Sequence, residues 1–424
     1  MKNGGKNLKK TGYESEKSVT FLAEKIIENA LNLRATDVHI EPREDHTLVR
    51  FRIHGTLQDF EKLPPIYSKK LAKHFKSLGE LDFGEKIFSQ TAKIKHGKAN
   101  IRISVSPTFL GEKITLRVMS AKHKVRSLEE IGLWGDNLRR VRQAIHQPSG
   151  ILITIGAGKN NTNFAILNEI ISISSEKNIV TVEKHIEKGI SKINQTEVKP
   201  RIGLDYPQAT KAALSQNPDV ILIDDLRDKK TAELAFDASS RGKFVIISLP
   251  VQKTSEAIPY LEFLGVPSFM IATNVLAIIS QKLIRTVSPQ AVVFQKINKT
   301  ESKVLLNEFK ISASHLNNLE KSAKKYFEGK KLRTNQDLIV EIPVIDEKFA
   351  KTAFIGLTGI FEVVSFLDGK FGRELKNLVS LKSNSAEIED FLEDFDFSTL
   401  KIDGIVKALQ GQTTIKEVIR QTGY

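Results

Sequence analysis

The sequence contains no cysteine. That absence excludes disulfides, thiolate zinc sites and thiol catalysis, and it fits a reducing, cytosolic setting. No apolar stretch approaches the ~20 residues of a membrane-spanning helix, and no signal peptide opens the chain. Any membrane link is therefore expected to be peripheral or made through a partner. There is no internal repeat, no low-complexity tract and no dense basic stripe interleaved with aromatics. The formal net charge is nevertheless +14, with a pI near 9.5. That balance admits nucleic acid or an anionic membrane surface as partners. Without a stripe, nucleic acid is disfavoured, and lysines spread over a solvated surface are the simpler reading.

What is present is enough for more than one core. The chain has 424 residues, 40% of them hydrophobic, which predicts roughly two to four domains. Lys2, Lys6, Lys9 and Lys10 mark a basic, disordered tail over 1–16. Leu22, Ile26, Ile27, Ala30 and Leu31 recur at helical spacing. The runs 37–42, 48–55, 99–106 and 113–119 read as strands of a small α/β domain over 17–122. A charged linker over 121–127 follows. From 128 the pattern changes: 151–155, 179–182, 220–223 and 244–249 are short, nearly all-apolar runs alternating with helices. Such runs suggest a parallel sheet buried on both faces. This core is expected over 128–290. A C-terminal region over 291–424 follows, with a strand-like piece at 359–366 and a terminal helix near 414–420.

The segment Ile151-Leu152-Ile153-Thr154-Ile155-Gly156-Ala157-Gly158-Lys159-Asn160-Asn161-Thr162 reads as a buried strand, a glycine turn and a helix start. It outlines a phosphate-binding loop. In the complete form, G-x-x-x-x-G-K-[ST], backbone N–H groups cradle phosphates, Lys grips the β/γ oxygens and the hydroxyl holds Mg²⁺. Here the leading glycine is missing and Asn160 follows Lys159.

Several separated motifs, in order, resemble one family: the secretion and pilus-assembly ATPases of type II secretion and type IV pilus systems. Ala35-Thr36-Asp37-Val38-His39-Ile40-Glu41-Pro42, Val49-Arg50-Phe51-Arg52-Ile53-His54-Gly55 and Gly111-Glu112-Lys113-Ile114-Thr115-Leu116-Arg117 look like its second N-terminal domain. The segment Asn217 to Asp228 looks like its Walker B region. Thr358-Gly359-Ile360-Phe361-Glu362-Val363 and Gly411-Gln412-Thr413-Thr414-Ile415-Lys416-Glu417-Val418 resemble its C-terminal signatures. The resemblance implies an α/β fold with a RecA-like P-loop core, a small N-terminal α/β domain and a helical C-terminal region. It implies ATP and Mg as cofactors, a homo-hexamer or a mixed ring with an active paralogue, and an inner-membrane platform protein as partner. It also implies a cytoplasmic location, peripheral to the inner membrane. The family's first N-terminal domain is not matched.

The departures from the family pattern fall on chemistry. Without a gap, the family's lysine falls on Asn161 and its hydroxyl on Thr162; with the loop shortened by two residues they fall on Lys159 and Asn160. The second frame aligns Phe164, Ala165, Leu167 and Ile170 with the family's helix. The family's catalytic glutamate falls on Asp225, whose carboxylate sits about 1.5 Å further back; a misplacement of ~1 Å can cost ~10²-fold. The acidic box reads Thr181-Val182-Glu183-Lys184-His185, and the histidine box ends on Pro250. Two phosphate-facing arginines are replaced by Lys211 and Ser215, and lysine lacks the bidentate fork. The family's four zinc cysteines fall on Ser288, Ala291, Asp346 and Phe349, so no zinc is expected.

The resemblance thus names Gly156, Gly158, Lys159, Asn160, Thr162 and Asp224 as nucleotide-binding positions. Asp225 and Glu183 are the candidate catalytic carboxylates. Arg50, Arg52, Arg102 and Arg117 either reach the nucleotide, as in the family, or form salt bridges across the sheet face. Asp37, His39 and Glu41 alternate on one strand, as a metal site or as polar packing. Arg227 and Asp228 read as an ion pair, and Trp134 as a packing residue at a domain edge. Three functional readings follow: a hydrolysis-impaired structural or regulatory ring subunit, a slow ATPase with a remodelled site, and a nucleic-acid-binding protein.

Overall fold

In a computed structural model of the protein, the structure describes residues 16–97, 99–120, 125–296, 298–308, 334–335, 338–339, 341–349, 353–395 and 399–423. The chain divides into two compact units, Met1–His123 and Lys124–Tyr424. The expected tail lies outside the described residues except for Glu16, which opens a helix. Of the expected linker, 121–124 also lie outside, and 125–127 have no regular structure.

The first unit comprises α1 (Glu16–Asn32), β1 (Asp37–Pro42), β2 (Thr47–Ile53), β3 (Thr56–Leu63), α2 (Ile66–Leu78), β4 (Gln90–His96), β5 (Ala99–Thr108) and β6 (Gly111–Ser120). The strands form one antiparallel sheet in the order β3-β2-β1-β6-β5-β4. Period-two alternation decides its faces. Val38, Ile40, Val49, Phe51, Ile101, Ile103, Ile114 and Leu116 point inward and pack on Leu22 and Ile26 of α1 and on Leu71 and Phe75 of α2. The intervening residues make the opposite face polar. Here Asp37 lies opposite Arg52 and Arg117, His39 opposite Arg50 and Thr115, and Arg102 opposite Arg117. The β2–β3 hairpin turns on His54 and Gly55, both left-handed at φ +48° and +79°, as a two-residue turn requires.

The second unit opens with α3 (Gly135–Ile145), β7 (Gly150–Gly156), α4 (Lys159–Ile173), β8 (Ile179–Glu183), β9 (Asn194–Glu197), α5 (Tyr206–Ser215) and β10 (Val220–Ile223). It continues through α6 (Lys229–Ser240), β11 (Phe244–Ser248), α7 (Thr254–Phe263), α8 (Ser268–Asn274), β12 (Val275–Val287), β13 (Val292–Lys296) and α9 (Lys299–Glu308). The last elements are β14 (Thr334–Asn335), β15 (Leu338–Ile339), β16 (Glu341–Ile345), β17 (Phe354–Ser365), α10 (Gly369–Ser380), α11 (Ser385–Asp394), α12 (Leu400–Leu409) and α13 (Ile415–Thr422). The main sheet runs β17-β12-β7-β11-β10-β8-β9. Its pairs are parallel except β12–β17.

The continuous apolar runs follow from burial on both faces. Ile151, Ile153, Ile221, Ile223, Val245 and Ile247 feed one core, under α5 to α8, α10 and α11. Leu152, Val220, Leu222, Phe244 and Ile246 feed the other, under α3 and α4. β17, longer than the expected piece at 359–366, runs antiparallel along the 13-residue β12 and completes the sheet.

Candidate functional site

Only Ala157 and Gly158 separate the end of β7 from the start of α4. Gly156 and Gly158 adopt φ of +85° and +90°, a region glycine enters without strain. A Cβ on Gly156 would stand 2.2 Å from the carbonyl oxygen of Gln281, and Gly156 and Gln281 are register partners in β7 and β12. The loop therefore lies flat on β12. Thr162 is fully buried and its hydroxyl donates to Oε1 of Gln281. Behind the loop, Thr154, Asn163 and Ser248 close a buried hydrogen-bonded triangle with sides of 2.8–2.9 Å. The Lys159 ammonium donates to the Leu249 carbonyl at 3.3 Å, and Asn160 stands partly exposed in the first turn of α4.

The carboxylates gather at the ends of β8 and β10. Asp224 accepts from the Tyr206 hydroxyl at 2.6 Å and from the Lys184 amide at 3.0 Å. Asp225 Oδ2 accepts from Arg227 Nε at 2.7 Å, while its Oδ1 is buried with no hydrogen-bond partner. Glu183 accepts from the Thr181 hydroxyl at 2.5 Å and from Gln195 Nε2 at 2.9 Å. Burial raises the pKa of Glu183 and of Asp224 against these hydrogen bonds. Burial lowers that of Lys159, opposed by the attraction of Asp225 and Asp224. The Tyr206 hydroxyl is pushed up by burial and by Asp224.

The Thr162 hydroxyl donates to Gln281. One expectation needs correction and another is extended. Arg227 pairs with Asp225 rather than Asp228, which instead caps α6 by accepting from the Thr231 amide at 2.8 Å. Trp134 is more than packing: its indole N–H donates to Asp403 at 2.5 Å, tying the entry of α3 to α12. Of the two arginine replacements, Lys211 is exposed and Ser215 bonds back to the Ala212 carbonyl.

These residues do not fit a magnesium nucleotide as they stand. One N–H of the Lys159 ammonium goes to a carbonyl, and the Thr162 hydroxyl donates to an amide oxygen. The remaining first-turn group, Asn160, is a carboxamide, a poorer Mg²⁺ ligand there than a hydroxyl.

In the first unit, Arg50 donates to Glu41 at 2.8 Å, and Lys113 pairs with the same carboxylate at 2.8 Å. Burial pushes Glu41 up, and the hydrogen bonds from Arg50 and Lys113 outweigh it, bringing it to about 2. Arg52 bonds to the Gly55 carbonyl at 3.0 Å and lies 3.7 Å from Asp37. Arg102 has a buried Nη1 without a partner, as do both ring nitrogens of His39. Arg50 and Arg52 thus each face a carboxylate on the sheet. Among the described residues no group of three His, Asp or Glu is placed to hold a metal. Ser288, Ala291, Asp346 and Phe349 do converge, but through backbone: the amides of Ala291, Asp346 and Phe349 donate to Ser288, Ala291 and Asp346.

Sequence reasoning missed Gln281, Tyr206 and Gln195. For Gln281 a signal existed, since Ser280-Gln281 interrupts an apolar strand; Tyr206 and Gln195 gave none. It also missed Lys407, which is fully buried on α12. Its ammonium donates to the Gly132 and Gly359 carbonyls and to Asp403, each at 2.7 Å.

Comparison with known proteins gives a consistent answer. Residues 13–420 match the family described as Type II/IV secretion system protein. The chain is 30% identical over 415 residues to the type IV pilus assembly ATPase PilB of Thermus thermophilus, covering 96% of this chain and 43% of that protein. It is 30% identical over 415 residues to the type II secretion system protein E of Xanthomonas campestris pv. campestris, covering 96% and 68%. The chain thus spans less than half of the first relative and about two thirds of the second. Among solved structures, the Legionella pneumophila ATPase DotB is similar at a TM-score of 0.64 and 17% identity over 94% of both chains. The pilus retraction motor PilT is similar at 0.58 and 18%, over 94% and 96%. Both share the RecA-like fold. With a match that leaves out only its two ends, this chain belongs to the Type II/IV secretion system protein family.

Proposed function

We propose that this chain is a divergent assembly-ATPase homologue whose hydrolysis is impaired and which acts as a structural or regulatory ring subunit of a type II secretion or type IV pilus machine. One observation carries the reading: the loop between β7 and α4 is closed onto β12, with the Thr162 hydroxyl on Gln281 and the Lys159 ammonium on the Leu249 carbonyl. Phosphoryl transfer depends almost wholly on positioning and charge stabilisation, and here Lys159 and Thr162 donate to groups of the protein itself. The ring is a homo-hexamer or a mixed ring with an active paralogue, docked on an inner-membrane platform protein at the cytoplasmic face. ATP and Mg²⁺ are the ligands to test.

The test is calorimetry of Mg-ATP binding with phosphate release followed in the same sample. The expected outcome is no release above the uncatalysed rate, with or without binding. Release that vanishes in Lys159→Ala would overturn the reading. It would favour the alternative, a slow ATPase in which Lys159 meets phosphate, Asp224 or Asp225 positions water or Mg²⁺, and Glu183 assists. The attraction of Lys159 to Asp225 and Asp224 favours that alternative, since it puts all three in one neighbourhood.

A further inference from the structure

The first unit ends in a group of apolar side chains that its own core does not use. Phe109, at the tip of the β5–β6 hairpin, is 101% exposed, and Ile87 and Phe88, in the loop between α2 and β4, are 76% and 70% exposed. Leu110 and Ile66 are exposed beside them in the chain or at the start of α2. These segments share one end of the sheet. Ser89 Oγ donates to Ser106 Oγ at 2.9 Å, Lys86 pairs with Glu112 at 2.8 Å, and Gly111 lies against Pro42 and Ser68.

The loops are held rigidly, so the exposure is built in. Buried Lys76 pairs with Glu112 at 2.6 Å and donates to the Glu85 carbonyl at 2.9 Å. The Glu85 carboxylate accepts from the Ile87 and Phe88 amides at 2.6 and 2.9 Å. Thr108 closes the hairpin by donating to the Gly111 carbonyl at 2.6 Å. Apolar surface of this kind marks a binding site rather than scatter.

We propose that this end of the first unit is a membrane-docking tip that inserts Phe109, Ile87 and Phe88 into the interface of a bilayer rich in anionic lipid. Charge selects the occupant. Residues 1–123 carry 23 Lys and Arg against 14 Asp and Glu, and at the loops themselves Lys86, next to Ile87, and Lys69, one turn beyond Ile66, stand exposed. Basic side chains beside inserted apolar ones favour an anionic headgroup layer. Shape agrees: a protein partner must supply a fitted pocket for each protruding ring, whereas acyl chains close around tips of any outline. The inference rests on the first unit alone and stands whether or not the other unit binds nucleotide.

The test is co-sedimentation of the full chain with vesicles of phosphatidylglycerol and phosphatidylcholine, against phosphatidylcholine alone. The expected result is binding to the anionic vesicles only, weakened by salt and reduced more than about tenfold in Phe109→Ser/Phe88→Ser, from the loss of two buried rings. Both side chains are exposed, so the melting temperature should not move. Phe109→Trp supplies a second readout, because Trp134 is the sole native tryptophan: its emission, after subtraction of the native signal, should shift to the blue on vesicle addition. Absence of binding to anionic vesicles, binding that the double variant retains, or an unmoved Phe109→Trp emission would overturn the proposal. So would a double variant that alters the assembly mass of the protein while vesicle binding stays intact, which would assign the tip to contact between copies.

Discussion

At Lys159 the ammonium meets opposing demands: burial disfavours its charge while Asp225 and Asp224 favour it. The neighbouring threonine offers a cleaner test. Thr162→Val removes the donor to Gln281 and leaves a buried amide oxygen unsatisfied, a cost of about 1–3 kcal/mol. The melting temperature should fall by a few degrees and Mg-ATP affinity should stay the same. An unchanged melt with lost affinity would show that Thr162 faces the ligand after all. The carboxylates predict a pH dependence of two signs. In Glu417, burial pushes the pKa up, and hydrogen bonds from Arg420 and Arg285 outweigh it, to about 2. Its contribution, like that of Glu41, is present above the unfolded value near 4.5 and is lost as pH falls towards 2. Glu183 and Asp224 are raised, so their contribution is full below their unfolded values and is lost as pH rises through the folded ones. Glu183→Gln should therefore flatten the loss of stability above pH 4.5 in a denaturant series; an unchanged slope would remove Glu183 as its source.

Among the elements, those buried on two faces were the most readable. The apolar runs at 151–155, 179–182, 220–223 and 244–249 became β7, β8, β10 and β11 within a residue or two, because burial on both faces leaves few polar positions, Thr154, Thr181 and Ser248 among them. The helix at α1 was equally plain from Leu22, Ile26 and Ala30. Exposed elements were not: β3 and β4 alternate short polar side chains and lysines with few apolar ones, which leaves little contrast between faces. β12 was hidden because Ser280, Gln281 and Lys282 sit inside it. At the site, residue types were legible and their partners were not, since hydrogen bonds such as Thr162 to Gln281 join residues far apart in sequence. The terminal helix α13 is held through Glu417, which is almost fully buried and pairs with Arg285 of β12 at 2.7 Å. Arg285→Met strands part of that charge, a loss of up to about 3–5 kcal/mol. Amide exchange should then accelerate in α13 before the central strands; uniform protection across both would contradict this.

On the scale of the whole molecule, two units with separate cores should melt in two calorimetric steps. Lys407→Met discriminates between them. It orphans two buried carbonyls and weakens the hold on Asp403, so only the transition of the second unit should move, downward. A single transition that moves as a whole would mean that the units unfold as one.

The position of β17 bears on how the protein is made. The sheet that carries the glycine loop is finished only by a strand at 354–365, and Lys407 reaches Gly132 across 275 residues of sequence. During synthesis, the chain from β7 to β12 leaves the ribosome well before its last partners. For that interval β12 presents an open, largely apolar edge to the cytosol, the kind of edge that invites pairing with other chains. A nascent chain halted after β12 should therefore recruit chaperones, and one halted beyond α12 should release them.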